Sequence, residues 1–194
     1  FSAHGDRDEM FNFLKPLNTS KLKQTFIVHG DYEEAQIPFK NFLEKNNFRN
    51  ISIPQLPKAK IAIISASWHS EICGQLVAGA RRACVEAGVT DLSEMYVPGS
   101  FELPLAAQRA FEDGFDGAVV VGLVLRGETP HFDYVCQGVT QGVMDVQLKF
   151  SKPIGFGVLM CDTLEQALAR SGGSGSKEDK GFDAAVAALS LIKK

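Results

Sequence analysis

The segment that follows an apolar run in the middle of the chain carries side chains suited to proton transfer and anion binding. Residues 117–124 (GAVVVGLV) have the composition of a buried strand, and the next ten residues read LRGETPHFDY. A turn requires the glycine and the proline of this segment, but it does not require Arg126, Thr129 or His131. An imidazole titrates near neutral pH, and backbone N–H groups at the start of a helix attract anions. The segment could therefore place a proton-transferring histidine next to an anion site at 127–129, although a single histidine in a turn is more often inert.

Polar residues also follow the other predicted strands. The apolar runs at 61–67, 95–97 and 154–160 end in SWH (67–69), PGSFE (98–102) and CDT (161–163). Because the carboxyl ends of parallel strands meet at one edge of a sheet, where ligands bind, we expect these residues to converge.

Helical patterns separate these strands. Apolar residues at three- and four-residue steps predict helices near 72–87, 101–112 and 135–146, and Gly88 is placed to end the first of them. Thr163 with Gln166 resembles a capping box that opens a short helix, and a last helix is predicted over 178–192. Continuous apolar strands that alternate with helices predict an α/β fold whose four-stranded parallel sheet is covered on both faces.

Each candidate site residue also has a structural interpretation. Trp68 could seal the rim of the sheet instead of stacking on a ligand, since tryptophan combines a large contact area with one polar group. Ser100 and Thr129 could cap helices, and Glu102 could complement a helix dipole. Arg170 and Lys180 flank the Gly/Ser-rich loop 171–176; they could be a solvated pair of charges or could capture a phosphate. The residues alone leave these alternatives open.

Composition narrows the class of protein. The 194 residues are 45% hydrophobic and carry a net charge of −3 without a basic block, so neither nucleic acid nor an anionic membrane is favoured as a partner. No apolar run approaches the about 20 residues that span a bilayer, and no secretory leader is recognisable. The four cysteines form no CxxC pair and are typical of a reduced, cytoplasmic protein. The chain begins at Phe1, and we expect an expression or processing boundary there.

The sequence divides near Pro54 and Pro57, which gives domains at 1–57 and 58–194. The first piece predicts a small α/β fragment with helices near 6–14 and 32–45 and strands near 25–28 and 50–53. A piece of this length buries little surface by itself, so we expect it to need a partner.

Four blocks in the second domain resemble a known family. They read VPGSFELP (97–104), GLVLRGETPHFDYV (122–135), GVLMCDTLEQALARSG (157–172) and EDKGFDAA (178–185). In this order they resemble the 6,7-dimethyl-8-ribityllumazine synthases of riboflavin biosynthesis, and SASWHSEIC (65–73) resembles the form with Trp at the pyrimidine-stacking position. The resemblance implies a flavodoxin-like three-layer sandwich. It also implies condensation of 5-amino-6-(D-ribitylamino)uracil with 3,4-dihydroxy-2-butanone 4-phosphate, without metal or organic cofactor.

The resemblance also implies a role for each matched residue. His131 would transfer protons, Arg170 would clamp the phosphate, and Lys180 would lie near it. Glu128 and Thr129 would donate hydrogen bonds to the phosphate, and Phe156 would close the site from a neighbouring subunit. The residues that would hold the pyrimidine and its ribityl chain are Trp68, Ser100, Phe101, Glu102, Val124 and Leu125.

The assembly implied by the resemblance is a homopentamer, which some members build into a sixty-subunit shell. The loop SGGSGSKED (171–179) looks longer than in shell-forming relatives, so we expect a plain pentamer.

The first domain resembles something else. FSAHGD (1–6) and FIVHGD (26–31) are similar to the C-terminal part of β-CASP metallo-β-lactamase-fold hydrolases that process RNA. His4 would match a phosphate-side histidine of that family and His29 a metal ligand. Its HxHxDH motif is absent, and two histidines cannot complete a zinc site, so we expect an inert fragment without bound metal.

Two other functions are weighed against the synthase. A non-catalytic flavin- or lumazine-binding member of the same fold would need no base beside a phosphate site, which His131, Arg170 and Lys180 argue against. A metal-dependent RNA hydrolase fragment is the third, more remote interpretation.

Overall fold

The computed structural model describes residues 11, 25–26, 37–52 and 59–192, and the chain divides into two units, Phe1–Gln55 and Leu56–Lys194. The helix predicted over 6–14 (apart from Phe11), the N-terminal part of the helix predicted over 32–45, and both His4 and His29 lie outside the described residues.

The first unit contains a small parallel pair of strands. Strand β1 (Thr25–Phe26) pairs with β2 (Ile51–Ser52), and helix α1 (Ile37–Lys45) lies between them in the chain. Pro38 lies in the first turn of α1, where its missing N–H breaks no helical hydrogen bond. Leu43, Phe48 and Ile51 form a small buried cluster, so the apolar core described in this unit is limited.

The second unit is built on a four-stranded sheet. Its strands are β3 (Lys60–Ala66), β4 (Asp91–Val97), β5 (Gly117–Leu125) and β6 (Ile154–Cys161). All neighbours are parallel, and the order across the sheet is β4-β3-β5-β6. The predicted parallel sheet is therefore confirmed.

Helices cover both faces of this sheet. They are α2 (Ser70–Glu86), α3 (Leu103–Glu112), α4 (His131–Phe150), α5 (Leu164–Leu168) and α6 (Lys180–Ser190), with a 3-10 turn at Ser100–Glu102 before α3. One core cluster joins α2 and α6 to one face of the sheet, and a second joins α3 and α4 to the other. This is the predicted three-layer sandwich. None of the helices in the described parts of the chain combines the length and the hydropathy that a bilayer-spanning segment requires.

The side chains of β5 show why this strand is apolar throughout. Val119 and Val121 belong to the cluster beneath α2 and α6, whereas Val120 and Val124 belong to the cluster beneath α3 and α4. Successive residues of a strand point to opposite faces, so a strand covered on both sides needs apolar residues at every position. Strand β5 is therefore buried between the two helix layers along almost its whole length.

Candidate functional site

The chain reverses direction across the sheet between β3 and β5. The helix after β3 covers one face and the helix after β5 covers the other, so the two connections diverge and leave a crevice at the strand ends. Ligands of open α/β sheets bind at such a switch point. Trp68 follows β3 and His131 follows β5, and both therefore flank this crevice.

Trp68 forms an exposed aromatic surface beside the end of β3. Its side chain is 67% exposed, and its backbone N–H donates to the Pro98 carbonyl at 3.2 Å. A methyl group added to Gly99 would lie 2.7 Å from the indole Cζ3, so the ring lies directly against the Gly99 backbone. The Gly99 N–H in turn donates to Glu102 Oε2 at 2.9 Å. The ring and the carboxylate therefore meet at one glycine.

The 98–102 segment is also tied to the neighbouring strand. Ser100 is buried and its hydroxyl donates to the Leu123 carbonyl at 3.4 Å, which attaches the segment to β5. Ser100 is therefore not a helix cap, since Gly99 occupies the N-cap position of the 3-10 turn. Phe101 is 59% exposed, and its ring lies against Gly138 of α4. On β5 itself, Val124 is buried and Leu125 is half-buried.

Arg126 organises the connection between β5 and α4. Its Nε donates to Asp162 Oδ1 at 2.6 Å, a second guanidinium nitrogen lies 3.3 Å from Asp133 Oδ1, and the group stacks 4.0 Å from the centre of the Phe132 ring. The hydrogen bond to Asp162, followed by that to Asp133, raises the pKa of Arg126. This residue connects the ends of β5 and β6 to the start of α4, a role that sequence reasoning missed although both aspartates stand beside predicted element ends.

The first turn of α4 lacks a capping side chain. Pro130 occupies the N-cap position and no side chain accepts a hydrogen bond from the turn, so Thr129 is not the N-cap. Glu128, Thr129 and His131 are all exposed. The N-terminus of this twenty-residue helix, which is the positive end of the helix dipole, is therefore uncapped. His131 and Thr129 lie at this helix end.

Arg170 and Lys180 are brought together by the backbone. The Lys180 N–H donates to the Arg170 carbonyl at 3.0 Å, and Ser171 pairs with Asp179 in an antiparallel bridge. Both cations approach one carboxylate, since Glu178 lies 2.6 Å from Lys180 Nζ and 3.9 Å from Arg170 Nε. The hydrogen bond from Lys180 lowers the pKa of Glu178, and the same contact raises the pKa of Lys180.

The Arg170 charge also reaches the end of β6. Burial raises the pKa of the Cys161 thiol, and the positive charge of Arg170 partly offsets that rise. Cys161 pairs with Leu125, and its carbonyl accepts from the Arg126 N–H at 2.9 Å. The loops that carry His131 and Arg170 therefore leave the sheet from adjacent, paired positions.

Phe156 lies away from the other candidate residues. It is the third residue of β6, pairs with Val120 and is partly exposed. Five residues separate it from the end of its strand, which is about 16 Å. Within one chain, Phe156 does not belong to the edge that carries the other candidate residues.

The second unit matches a known protein family. The profile of the 6,7-dimethyl-8-ribityllumazine synthases matches residues 58–194. The chain belongs to this family. The lumazine synthase of Paenarthrobacter aurescens is 55% identical over 130 residues, which cover 67% of this chain and 80% of that protein. The lumazine synthase of Streptomyces coelicolor is 49% identical over 139 residues, which cover 72% of this chain and 86% of its own length.

The front of the chain matches a second profile. Residues 1–50 are similar to the RNA specificity domain of Zn-dependent metallo-hydrolases. The histidines of this chain stand at 4, 29, 69 and 131, so no HxHxDH sequence exists to supply zinc ligands. Among the described residues, no three His, Cys, Asp or Glu side chains lie together in a way that could hold a metal ion. The donor set does not fit a zinc centre, and we derive no metal chemistry from it.

Proposed function

We propose that the second unit condenses 5-amino-6-(D-ribitylamino)uracil with 3,4-dihydroxy-2-butanone 4-phosphate to give 6,7-dimethyl-8-ribityllumazine. The observation that carries this proposal is the exposed Trp68 ring at the switch point, held against Gly99 beside the Glu102 carboxylate. Family membership makes this the expected chemistry.

The pyrimidine would lie on the Trp68 ring. An exposed indole face provides a large apolar contact for a flat heterocycle, and Leu125 forms the wall at the end of β5. Ser100 fixes the segment that carries Phe101 and Glu102, so the polar groups of the ring and of its ribityl chain meet preformed partners.

The butanone phosphate would bind between α4 and the 170–180 loop. The uncapped N–H groups at the start of α4 and the Thr129 hydroxyl provide hydrogen-bond donors, and Arg170 and Lys180 provide positive charge. On binding, the side chains of Arg170 and Lys180 would exchange their contacts with Glu178 for contacts with the phosphate. His131 lies at the same helix start, where its imidazole can shuttle the protons of imine formation, phosphate elimination and ring closure.

The assembly that we propose is a cytoplasmic homopentamer with its sites between neighbouring subunits. Phe156 supports this proposal because it is a partly exposed aromatic on a sheet edge, far from the site of its own chain. Placed by a neighbour, it would close the crevice above Trp68. Light scattering on the purified protein should give a pentamer, and a particle of megadalton mass would identify the sixty-subunit shell instead.

One assay tests the activity. The two substrates are mixed with the full chain and the fluorescence of the lumazine product is followed, with reactions that lack either substrate as controls. Binding of lumazine or riboflavin without turnover would identify the non-catalytic binder. We also propose that residues 1–57 form a separate domain without hydrolytic activity, for which zinc analysis and an RNA-cleavage control on the same preparation are the tests.

A further inference from the structure

One carboxylate holds the loop between Arg170 and Lys180 against helix α2. We propose that Asp179 is a positioning residue, which sets where both cations stand and thereby determines affinity for the phosphorylated substrate. This inference rests on the proposed function, but Asp179 itself would touch no substrate.

The contacts of Asp179 fix it from two directions. Its Oδ1 accepts from the Phe182 N–H at 2.9 Å and so caps α6, and its Oδ2 lies 2.6 Å from an Arg82 nitrogen on α2. Arg82 also lies over the Phe182 ring, 5.2 Å from its centre. The side chain of Asp179 is only 19% exposed, whereas that of Arg82 is 52% exposed. One carboxylate therefore joins the loop, the start of α6 and the middle of α2.

Two glycines leave room for this carboxylate. A methyl group added to Gly79 of α2 would lie 2.7 Å from Asp179 Oδ2 and closer still to Oδ1. A methyl group added to Gly172 would lie 2.8 Å from Oδ1 and closer to Cγ, and Gly172 has a φ of +81°. Glycine destabilises the interior of a helix relative to alanine, so Gly79 has a stability cost that the close approach of Asp179 explains.

The position of Asp179 is transmitted to both cations through short backbone links. Asp179 pairs with Ser171, which adjoins Arg170, and Lys180 directly follows Asp179 and donates its N–H to the Arg170 carbonyl. A second contact, between the Ser171 hydroxyl and the Gln75 side chain, holds the other arm of the loop to α2. Displacement of Asp179 therefore moves the backbone that carries both cations.

The first test compares steady-state kinetics of Asp179→Ala and Asp179→Asn. The alanine variant loses the cap and the ion pair, and its KM for butanone phosphate should rise about tenfold, whereas asparagine retains the cap and should show a rise of about threefold. The KM for the ribitylaminouracil should stay within about twofold in both variants, because the Trp68 side of the crevice is tied to β3 and β5 and not to this loop.

Neighbouring arginines on α2 provide a matched control. Arg82→Ala removes the partner of Asp179 and should reproduce the selective rise in the phosphate KM. Arg81→Ala removes an equally exposed ion pair, with Glu94 on β4, and should leave both KM values unchanged. Equal effects of the two substitutions would overturn the proposal.

A double-mutant cycle tests the geometry without reference to activity. Gly79→Ala should lower the melting temperature of the full chain, because the new methyl group meets the carboxylate, and Asp179→Ala in the same chain should remove that penalty. Additive effects would overturn the proposal, since the two sites would then not be in contact.

Calorimetry with inorganic phosphate separates this inference from the proposed function. A wild-type chain that makes no lumazine would refute the function, while loss of phosphate binding on Asp179→Ala would still support the positioning role. A wild-type chain that makes lumazine, with unchanged phosphate affinity and phosphate KM in Asp179→Ala, would refute the positioning role alone.

Discussion

Replacement of Gly99 by alanine should impair substrate binding on the Trp68 ring and have little effect on the stability of the fold. Gly99 has φ −137° and ψ −178°, an extended conformation that alanine adopts without strain. The new methyl group would lie 2.7 Å from Cζ3 and 2.8 Å from Cε3 of Trp68, about 1 Å less than a normal carbon–carbon contact. The indole ring must therefore move away from the new methyl group by about that distance.

The expected magnitudes differ for stability and for catalysis. The ring is 67% exposed and can move into solvent, and alanine reduces the entropy of the unfolded chain relative to glycine, so the free energy of unfolding should change by less than about 1 kcal/mol. A displacement of about 1 Å at a substrate-positioning residue can reduce turnover by about 10²-fold. We expect kcat/KM for the ribitylaminouracil to fall by between about ten- and a hundredfold, which is about 1.4 to 2.7 kcal/mol.

The assay uses product fluorescence for kinetics and thermal unfolding for stability. Trp68 is the one tryptophan of the chain, so its emission also reports the displacement directly. Gly74→Ala is the control, because a methyl group there has no neighbour within 4 Å and glycine-to-alanine changes inside a helix stabilise it. If Gly99→Ala retained wild-type kinetics while its tryptophan emission shifted, Trp68 would not be the surface on which the pyrimidine binds.

Four further predictions concern the catalytic groups and the buried thiols. His131→Ala should reduce kcat by about 10²- to 10⁴-fold with little change in either KM, as measured by steady-state kinetics; a normal kcat would exclude the imidazole as the proton shuttle. Arg170→Ala should chiefly raise the KM for butanone phosphate, and an unchanged dependence on that substrate would show that the phosphate binds elsewhere. Burial raises the pKa of Cys73 and of Cys84 from the usual 9.0 to about 11, so both thiols should resist alkylation at pH 8, checked by mass spectrometry after native labelling. The thiols ionise at lower pH in the unfolded chain than in the folded chain. Their contribution to the free energy of unfolding is therefore fully present below pH 9 and is lost as pH rises through about 11, which pH-dependent melting would show.

The elements of the second unit could be predicted where burial determines the pattern. Strand β5 lies under helices on both sides and β6 is buried at most of its positions, and the continuous apolar runs predict both strands to within about one residue. Strand β4 begins at Asp91 although its pattern indicated only 95–97, because an edge strand with polar, partly exposed residues lacks a strong apolar signal. The spacing of Thr163 and Gln166 also predicts the helix cap, which is confirmed because the Thr163 hydroxyl accepts from the Gln166 N–H at 3.3 Å.

The sequence could predict that most of the candidate residues lie at one edge of the sheet, Phe156 being the exception, but it could not predict their contacts. The position of Trp68, Glu102 and His131 after strand ends was enough to place them at one edge of the sheet. The partners of Arg126 and Asp179 could not be predicted, because each joins elements that are distant in the chain and only the packed structure brings them into contact. The same limitation applies to the glycines, whose closeness to neighbouring atoms is not visible in their spacing.

The last helix has a consequence for how the protein is made. Helix α6 lies so close to α2 that a methyl group on Gly181 would overlap the Leu76 carbonyl, and Ala184, Ala185 and Ala188 complete the core of that face. These contacts join residues about a hundred positions apart, and a ribosome adding 5–20 residues per second needs about 5–20 s to span that distance. Throughout that interval the nascent chain presents an uncovered apolar helix face. Emergence of α6 from the ribosome, rather than completion of the sheet, is the event that first allows this unit to close.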